Sequence, residues 1–159
     1  MTHDIGVISM GVSSADLISQ IHEEVFLGAP EQSWTKSEFE SMFAISGTEC
    51  FIIKNNDKPL GFSLVRSVAD EAEIITFCIL PNHTKNGYAT LLLEWIVKEL
   101  QKRALNRLFL EVRENNIAAI KLYKKCLFDI IGRRKGYYHN HQGEKIDAIV
   151  MQRCLVNNE

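Results

Sequence analysis

Residues 71–128 read EAEIITFCILPNHTKNGYATLLLEWIVKELQKRALNRLFLEVRENNIAAIKLYKKCLF, and this stretch decides the fold. From Glu73 to Leu80, β-branched and aromatic residues run too continuously for a half-exposed strand, which predicts a central strand buried on both faces. Pro81 ends it. Past the loop Asn82–Asn86, residues Ala89, Leu93, Ile96, Leu100 and Ala104 recur at steps of four, three, four and four, one apolar stripe on a helix that begins near Gly87. In Arg107–Arg113, Leu108, Leu110 and Val112 alternate with Phe109, Glu111 and Arg113, so a second strand carries Glu111 on the face opposite its aliphatic set. A second helix starts near Asn115 or Asn116, either of which can cap it; Ile117, Ile120 and Leu127 mark its apolar side, with Tyr123 one turn from Ile120. Strand, helix and strand in that order build a parallel βαβ unit.

The first turn of that unit has chemistry of its own. First-turn amides of a helix have no partner within it and carry the positive end of its dipole, so they can hold a phosphate without a basic side chain. Gly87 and Ala89 are small enough to let a ligand approach the backbone. Asn86-Gly87 by itself also reads as a tight hairpin turn, but the long helical pattern behind it argues against one.

Three segments carry a family resemblance. PNHTKNGYATLLL (81–93) resembles the acetyl-coenzyme A loop of the GCN5-related N-acetyltransferases (GNAT), whose pattern is Gln or Arg, two residues, Gly, one residue, then Gly or Ala. LEVRENNIAAIKLYKKCLF (110–128) resembles, more narrowly, the segment LEVRxxNxxAxxLYxxxGF of the RimI-type ribosomal-protein alanine N-acetyltransferases. RRKGYYHNHQGEKIDAIVM (133–151) is similar to that group's C-terminal hairpin, in which a tyrosine pair precedes a polar turn and a DAxxM strand.

The resemblance implies a co-substrate, acetyl-CoA, with its pyrophosphate on the backbone of Lys85, Asn86, Gly87, Tyr88, Ala89 and Thr90, its pantetheine arm along Phe77, Cys78 and Ile79, and Asn116 in contact with it. It implies Glu111 as general base, directly or through a water, and Tyr123 as proton donor to the departing sulfur, with a backbone amide of the strand edge meeting the oxyanion. Transfer is then direct and needs neither an acylated cysteine nor a metal. The implied acceptor is the N-terminal alanine of small-subunit ribosomal protein eighteen, bound by Tyr137, Tyr138 and a wall formed by Phe26–Trp34, where Trp34 is the recognition candidate; Glu23, Glu24 and Glu31 could line an acidic groove for a basic tail.

Each of these residues also has a plain structural role. Glu111 reads equally as a solvated strand residue beside Arg113, Tyr123 as core packing, Asn116 as a helix cap, Trp34 as a packing anchor and the three glutamates as ordinary surface. Two other functions compete: a small-molecule amine acetyltransferase on the same fold, against which the hairpin speaks, and a non-catalytic coenzyme A-binding module, which would lose the base and acid that Glu111 and Tyr123 supply. Two positions depart from the family pattern. Thr84 stands where Gln or Arg is usual, and Leu127 where a glycine normally ends the helix in a left-handed conformation, so the turn after Tyr123 must differ or be strained.

At 159 residues and 46% hydrophobic, the chain is expected to form one N-acetyltransferase domain over 1–159. A net charge of −2 gives no general attraction to nucleic acid or an anionic membrane. With no signal-peptide pattern and no bilayer-length apolar run, a cytoplasmic monomer is expected. Cys50, Cys78, Cys126 and Cys154 lie far apart and read as reduced, buried, small hydrophobes. His139-Asn140-His141 lacks a third ligand at recognisable spacing, so no metal is expected.

Asp4–Met10 predicts a first strand, and Ser13 or Ser14 the cap of a helix with a Leu17, Ile18, Ile21 and Val25 stripe, broken by Gly28-Ala29-Pro30. Thr35 and Glu38 form a capping box ahead of Phe39 and Phe43. Phe51–Lys54 and Leu60–Val68 are strands about a turn at Asn55–Pro59, and Asp129–Arg134 and Ile146–Leu155 are antiparallel strands about a polar loop at Asn140–Gly143. The fold class is α+β: a twisted mixed, mostly antiparallel sheet around a parallel βαβ unit, with helices on both faces, which the resemblance identifies as the GNAT fold.

Overall fold

The computed structural model describes residues 4–29, 31–140 and 142–156. Among them, seven strands form one sheet: Ile5–Met10 (β1), Thr48–Asn55 (β2), Lys58–Val68 (β3), Glu71–Ile79 (β4), Arg107–Arg113 (β5), Asp129–His139 (β6) and Lys145–Cys154 (β7), in the order β1-β2-β3-β4-β5-β7-β6. Only β4 and β5 pair in parallel. The helices are Ala15–Val25 (α1), Lys36–Phe43 (α2), Tyr88–Lys102 (α3) and Ile117–Lys125 (α4). No helix among the described residues is long and apolar enough to cross a membrane.

The sheet has a core on each face. On one, Leu92, Leu93, Ile96, Val97 and Leu100 of α3 meet Phe51, Ile53, Leu108, Leu110 and Val112, with Tyr123 and Cys126 at the end of α4. On the other, Ile18, Ile21 and Phe39 of α1 and α2 cover Cys50, Ile52, Phe62, Leu64 and Cys78. Each of these large aliphatic side chains contributes roughly 1.5–3 kcal/mol when fully withdrawn from water. The strands buried on both faces are therefore β2 and β3, where Cys50–Ile53 and Leu60–Val65 are all buried. β4, expected in that role, is half-buried through Ile75–Phe77, because its continuous apolar run lines a cleft as well as a core.

Two irregularities in β4 make that cleft. Leu64 pairs with Thr76 and Val65 with Ile74, which leaves Ile75 unpaired in a β-bulge toward β3. On its other side β4 pairs with β5 only from Glu71 to Ile74, opposite Arg107 to Leu110. Past Ile74 the two strands part, and the β5-facing edge of residues 75–79 carries no strand partner among the described residues.

Local signals hold with exceptions. The α2 capping box is complete, with the Thr35 N–H donating to Glu38 Oε2 at 2.7 Å and the Glu38 N–H to Thr35 Oγ1 at 3.2 Å. Ser14 sits at the cap of α1, but its hydroxyl donates back to the Gly11 carbonyl at 2.7 Å instead of capping. Leu17 faces outward, and His22 takes a buried place on α1 that the apolar count did not include. Ala104 lies beyond the end of α3 at φ +60°, off the stripe predicted for it. Cys50, Cys78 and Cys126 are buried free thiols, whereas Cys154, near the end of β7, is exposed. Leu127, expected on the apolar side of α4, is 69% exposed in the turn that follows it. The break after α1 holds in that α1 ends at Val25; Pro30 itself lies outside the described residues.

Candidate active site

Where β4 and β5 part, a cleft of about 480 Å³ opens. Ile75–Phe77 and Ile79 of β4 and Glu111–Arg113 of β5 border it, and Asn116, Ala119, Leu122 and Tyr123 of α4 close one side. His22 and the segment after α1 (Phe26, Glu31, Gln32, Trp34) form the other, with Tyr138 beside them and Thr84 and Ala89 at the turn into α3.

That turn is built from two left-handed residues, Lys85 at φ +63° and Gly87 at φ +81°, with Gly87 as the N-cap of α3. No side chain caps the helix, so the amides of Tyr88, Ala89 and Thr90 remain free as donors. A Cβ at Gly87 would meet open space; the dihedral alone requires the glycine. Thr84 turns its hydroxyl to the Pro81 carbonyl at 3.0 Å, stabilising the loop's own backbone. A free strand edge leading into such a helix N-terminus fits an elongated thioester with a pyrophosphate at its far end.

Glu111 lies on the face opposite Leu110 and Val112, as the alternation predicts, half-buried and paired with Arg134 Nη1 at 3.2 Å. Tyr123 is buried between Phe77 and Phe128, with ring centroids 6.3 and 5.7 Å away, and burial pushes its phenol above the usual tyrosine range. It is a neutral donor. Asn116 caps α4, its Oδ1 accepting from the Ala119 N–H at 3.2 Å, and borders the cleft as well, so the two roles coexist. Phe77 and Ile79 pack toward α3 and α4, while the Cys78 side chain points to the opposite core; burial pushes its thiol up to about 12, which makes it a poor nucleophile.

The acceptor side differs more from expectation. Tyr138 borders the cleft under the Arg113 guanidinium, 4.3 Å from its ring centroid, and burial with the nearby Glu111 raises its phenol. Tyr137 is 52% exposed outside the cleft, with the Arg134 guanidinium 4.9 Å from its ring centroid. Glu23 and Glu24 are exposed on α1 and do not border the cleft; Glu31 does, but it pairs with Arg113. The expected row of three acidic residues is thus a single Glu31–Arg113 link across the cleft. Trp34 is both wall and anchor: its backbone N–H donates to His22 Nδ1 at 3.0 Å and its ring stacks on His22 at 4.9 Å.

His22 and Arg113 are the titratable residues of the cleft to which the sequence assigned no role. Burial lowers His22 to about 4 against the opposing pull of Glu38, so it is a neutral acceptor. Its spacing four residues after Ile18 was the available signal. His141, half of the histidine pair considered for a metal, lies outside the described residues; among these no group of three or more His, Cys, Asp or Glu could hold one.

The acetyltransferase (GNAT) family matches residues 17–128. The [ribosomal protein bS18]-alanine N-acetyltransferase of Escherichia coli K12 is 37% identical over 101 residues, 64% of this chain and 68% of that protein. The crystal structure of the ribosomal-protein-S18-alanine N-acetyltransferase from Escherichia coli superposes with a TM-score of 0.84 at 27% identity, covering 98% of this chain and 97% of the other. Arabidopsis thaliana NAA60 in complex with acetyl-CoA shares the fold, with a TM-score of 0.78 at 18% identity over 95% of this chain and 98% of that one.

Proposed function

The chain belongs to the acetyltransferase (GNAT) family, and on that premise we propose that it transfers the acetyl group of acetyl-CoA to the N-terminal alanine amine of small-subunit ribosomal protein eighteen. The observation that carries this is the cleft itself, which brings Glu111 of β5 and Tyr123 of α4 together beside the unpaired edge of β4. The similarity to enzymes named for alanine acetylation of that ribosomal protein supplies the acceptor.

Acetyl-CoA supplies, when bound, an acyl group on a thiol leaving group. The free amides of Tyr88–Thr90, with the backbone of Lys85–Gly87, hold its pyrophosphate. Phe77–Ile79 offer their edge amides and carbonyls to its pantetheine arm like an added strand, and one of those amides faces the developing oxyanion. Asn116 borders the same channel. Glu111 takes the proton of the incoming amine, directly or through a water; an α-amine has an ordinary pKa near ~7.7–8.0, so a mild base suffices. The Tyr123 hydroxyl, kept protonated by its burial, donates to the sulfur as charge develops there. On the acceptor side Trp34 and Tyr138 both border the cleft, and Tyr137 lies exposed outside it.

The test is acetyl-CoA-dependent mass gain on an alanine-started basic ribosomal peptide, the same peptide blocked at its N-terminus, and free polyamines. Acetylation of the unblocked peptide alone is expected. Modification of the blocked peptide would move the reaction to a lysine, and modification of polyamines alone would overturn the ribosomal acceptor.

A further inference from the structure

The cleft does not end at Glu111. A second hollow of about 460 Å³ begins at that residue and continues along the same sheet face to the turn between β3 and β4. Strand pairing puts Arg66 opposite Glu73, Glu73 opposite Phe109, and Glu111 opposite Val150, so these side chains share one face. Along β4 the hollow takes Glu71–Glu73 and the cleft resumes at Ile75. Glu111 borders both. An amine that reaches Glu111 in the cleft therefore has the mouth of the hollow immediately beside it.

The lining of the hollow selects an occupant. Phe109 and Val150 give it an apolar floor, and its lining carries four carboxylates, Asp70, Glu71, Glu73 and Glu111, to one guanidinium, Arg66, which pairs with Glu73 at 3.5 Å. From outside the lining Arg107 reaches Glu71 at 4.0 Å and Arg134 reaches Glu111 at 3.2 Å, which leaves one carboxylate in excess. That is a surplus of negative charge over an apolar base, suited to the aliphatic stems and cationic heads of lysine and arginine. The β4–β5 register sets Arg107 opposite Glu71, and Glu111 lies four residues further along β5, a distance of about 13 Å in strand geometry. An extended peptide advances roughly 3.3–3.6 Å per residue, so the hollow spans about four residues.

We propose that this hollow is a second acceptor subsite, which binds the cationic segment following the acetylated N-terminal residue. It rests on the peptide-acceptor function above and specifies what that acceptor must carry: positive charge within about five residues of its amine.

The test uses three alanine-started peptides: a tripeptide amide, an octapeptide with arginines at its third to sixth positions, and the same octapeptide with glutamines there. KM is measured with the unaltered protein and with the double variant Glu71→Gln/Glu73→Gln. The unaltered protein should favour the arginine octapeptide over the glutamine one by roughly three- to tenfold in KM, and the double variant should bring that ratio close to one. Turnover of the tripeptide by the variant reports that it has folded. Equal KM values for the two octapeptides, or a preference that survives in the variant, would overturn the subsite and leave N-terminal acetylation standing. Failure of the unaltered protein to acetylate any of the three would overturn the acceptor assignment and the subsite with it. A concentration-dependent dimer abolished by Phe109→Lys would give the hollow to a second copy of the chain and overturn the subsite as well.

Discussion

Phe128 donates its backbone N–H to the carbonyl of Tyr123 at 2.9 Å, closing α4 across a leucine. Leu127 lies between them at φ +67°, and its own N–H reaches the Lys124 carbonyl at 3.1 Å. This pair of bonds is the usual glycine-bearing end of a helix, here made by a residue whose Cβ opposes it. The turn brings Phe128 back under the Tyr123 ring and so sets one side of the proposed acid's pocket.

Leu127→Gly should therefore stabilise the protein. A left-handed leucine costs about 1–2 kcal/mol, and glycine returns part of this as extra freedom in the unfolded chain. Little packing is lost, because Leu127 is 69% exposed. The expected gain is about 0.5–1 kcal/mol, read as a rise in Tm of roughly 1–4 °C with activity retained. A lower Tm would show that the leucine holds the turn by contacts stronger than its strain.

Tyr123→Phe should leave the fold intact, since the ring contacts with Phe77 and Phe128 persist, and lower kcat by about 10–100-fold with little change in the KM for acetyl-CoA. The direction of its pKa also fixes a pH profile. Burial raises the folded value above the ordinary ~10, so the phenol stays protonated and no alkaline fall in kcat between pH 8 and 10 should trace to it. A limb in that range present in the unaltered protein and absent in Tyr123→Phe would contradict this.

Glu111→Gln removes the proposed base and keeps the shape of the side chain. At pH 7, kcat/KM should fall by about 100-fold, and the deficit should shrink as pH passes the acceptor amine's ~7.7–8.0, where the amine no longer needs a base. Rates from pH 6.5 to 9.5 decide it. A constant deficit across that range would assign Glu111 to positioning, through its 3.2 Å pair with Arg134, and not to proton transfer.

The sequence showed the α3 turn and the β5–α4 segment because both depend on local rules: a glycine where φ is positive, strict alternation that sets Glu111 apart from Leu110 and Val112, and an asparagine cap. What it hid depends on partners distant in the chain. The apolar run of β4 could not reveal that β5 leaves it after Ile74 or that Ile75 bulges, because both follow from register with other strands. Tyr137 and Tyr138 are adjacent in sequence, yet the irregular β6–β7 pairing between Arg134 and Tyr138 leaves only Tyr138 in the cleft. His22 drew no reading from the sequence, because its burial depends on Phe26, Trp34 and Phe39 closing around it.

That enclosure couples the stability of the fold to pH. His22 is stacked between Phe26 at 4.3 Å and Trp34 at 4.9 Å, and its Nδ1 accepts from the Trp34 backbone N–H at 3.0 Å. A proton on Nδ1 would set donor against donor. Burial lowers the folded pKa from 6.5 to about 4, with Glu38 pulling the other way. As pH falls below 6.5 the unfolded chain binds a proton that the folded chain refuses, so this stability is complete above 6.5 and drains away as pH drops toward 4, by roughly 3 kcal/mol at most. Urea unfolding at pH 7, 5.5 and 4.5 should show the loss in the unaltered protein. His22→Phe should start less stable, having lost the acceptor for the Trp34 N–H, and lack that component of the slope. Carboxylates contribute to both curves, so the difference between them is the readout, and parallel curves would remove His22 from the account. Because His22 fastens Trp34 and the folded chain keeps it neutral until pH nears 4, the KM for the peptide acceptor should owe no change to His22 between pH 7 and 5, and the pH dependence should show in stability alone.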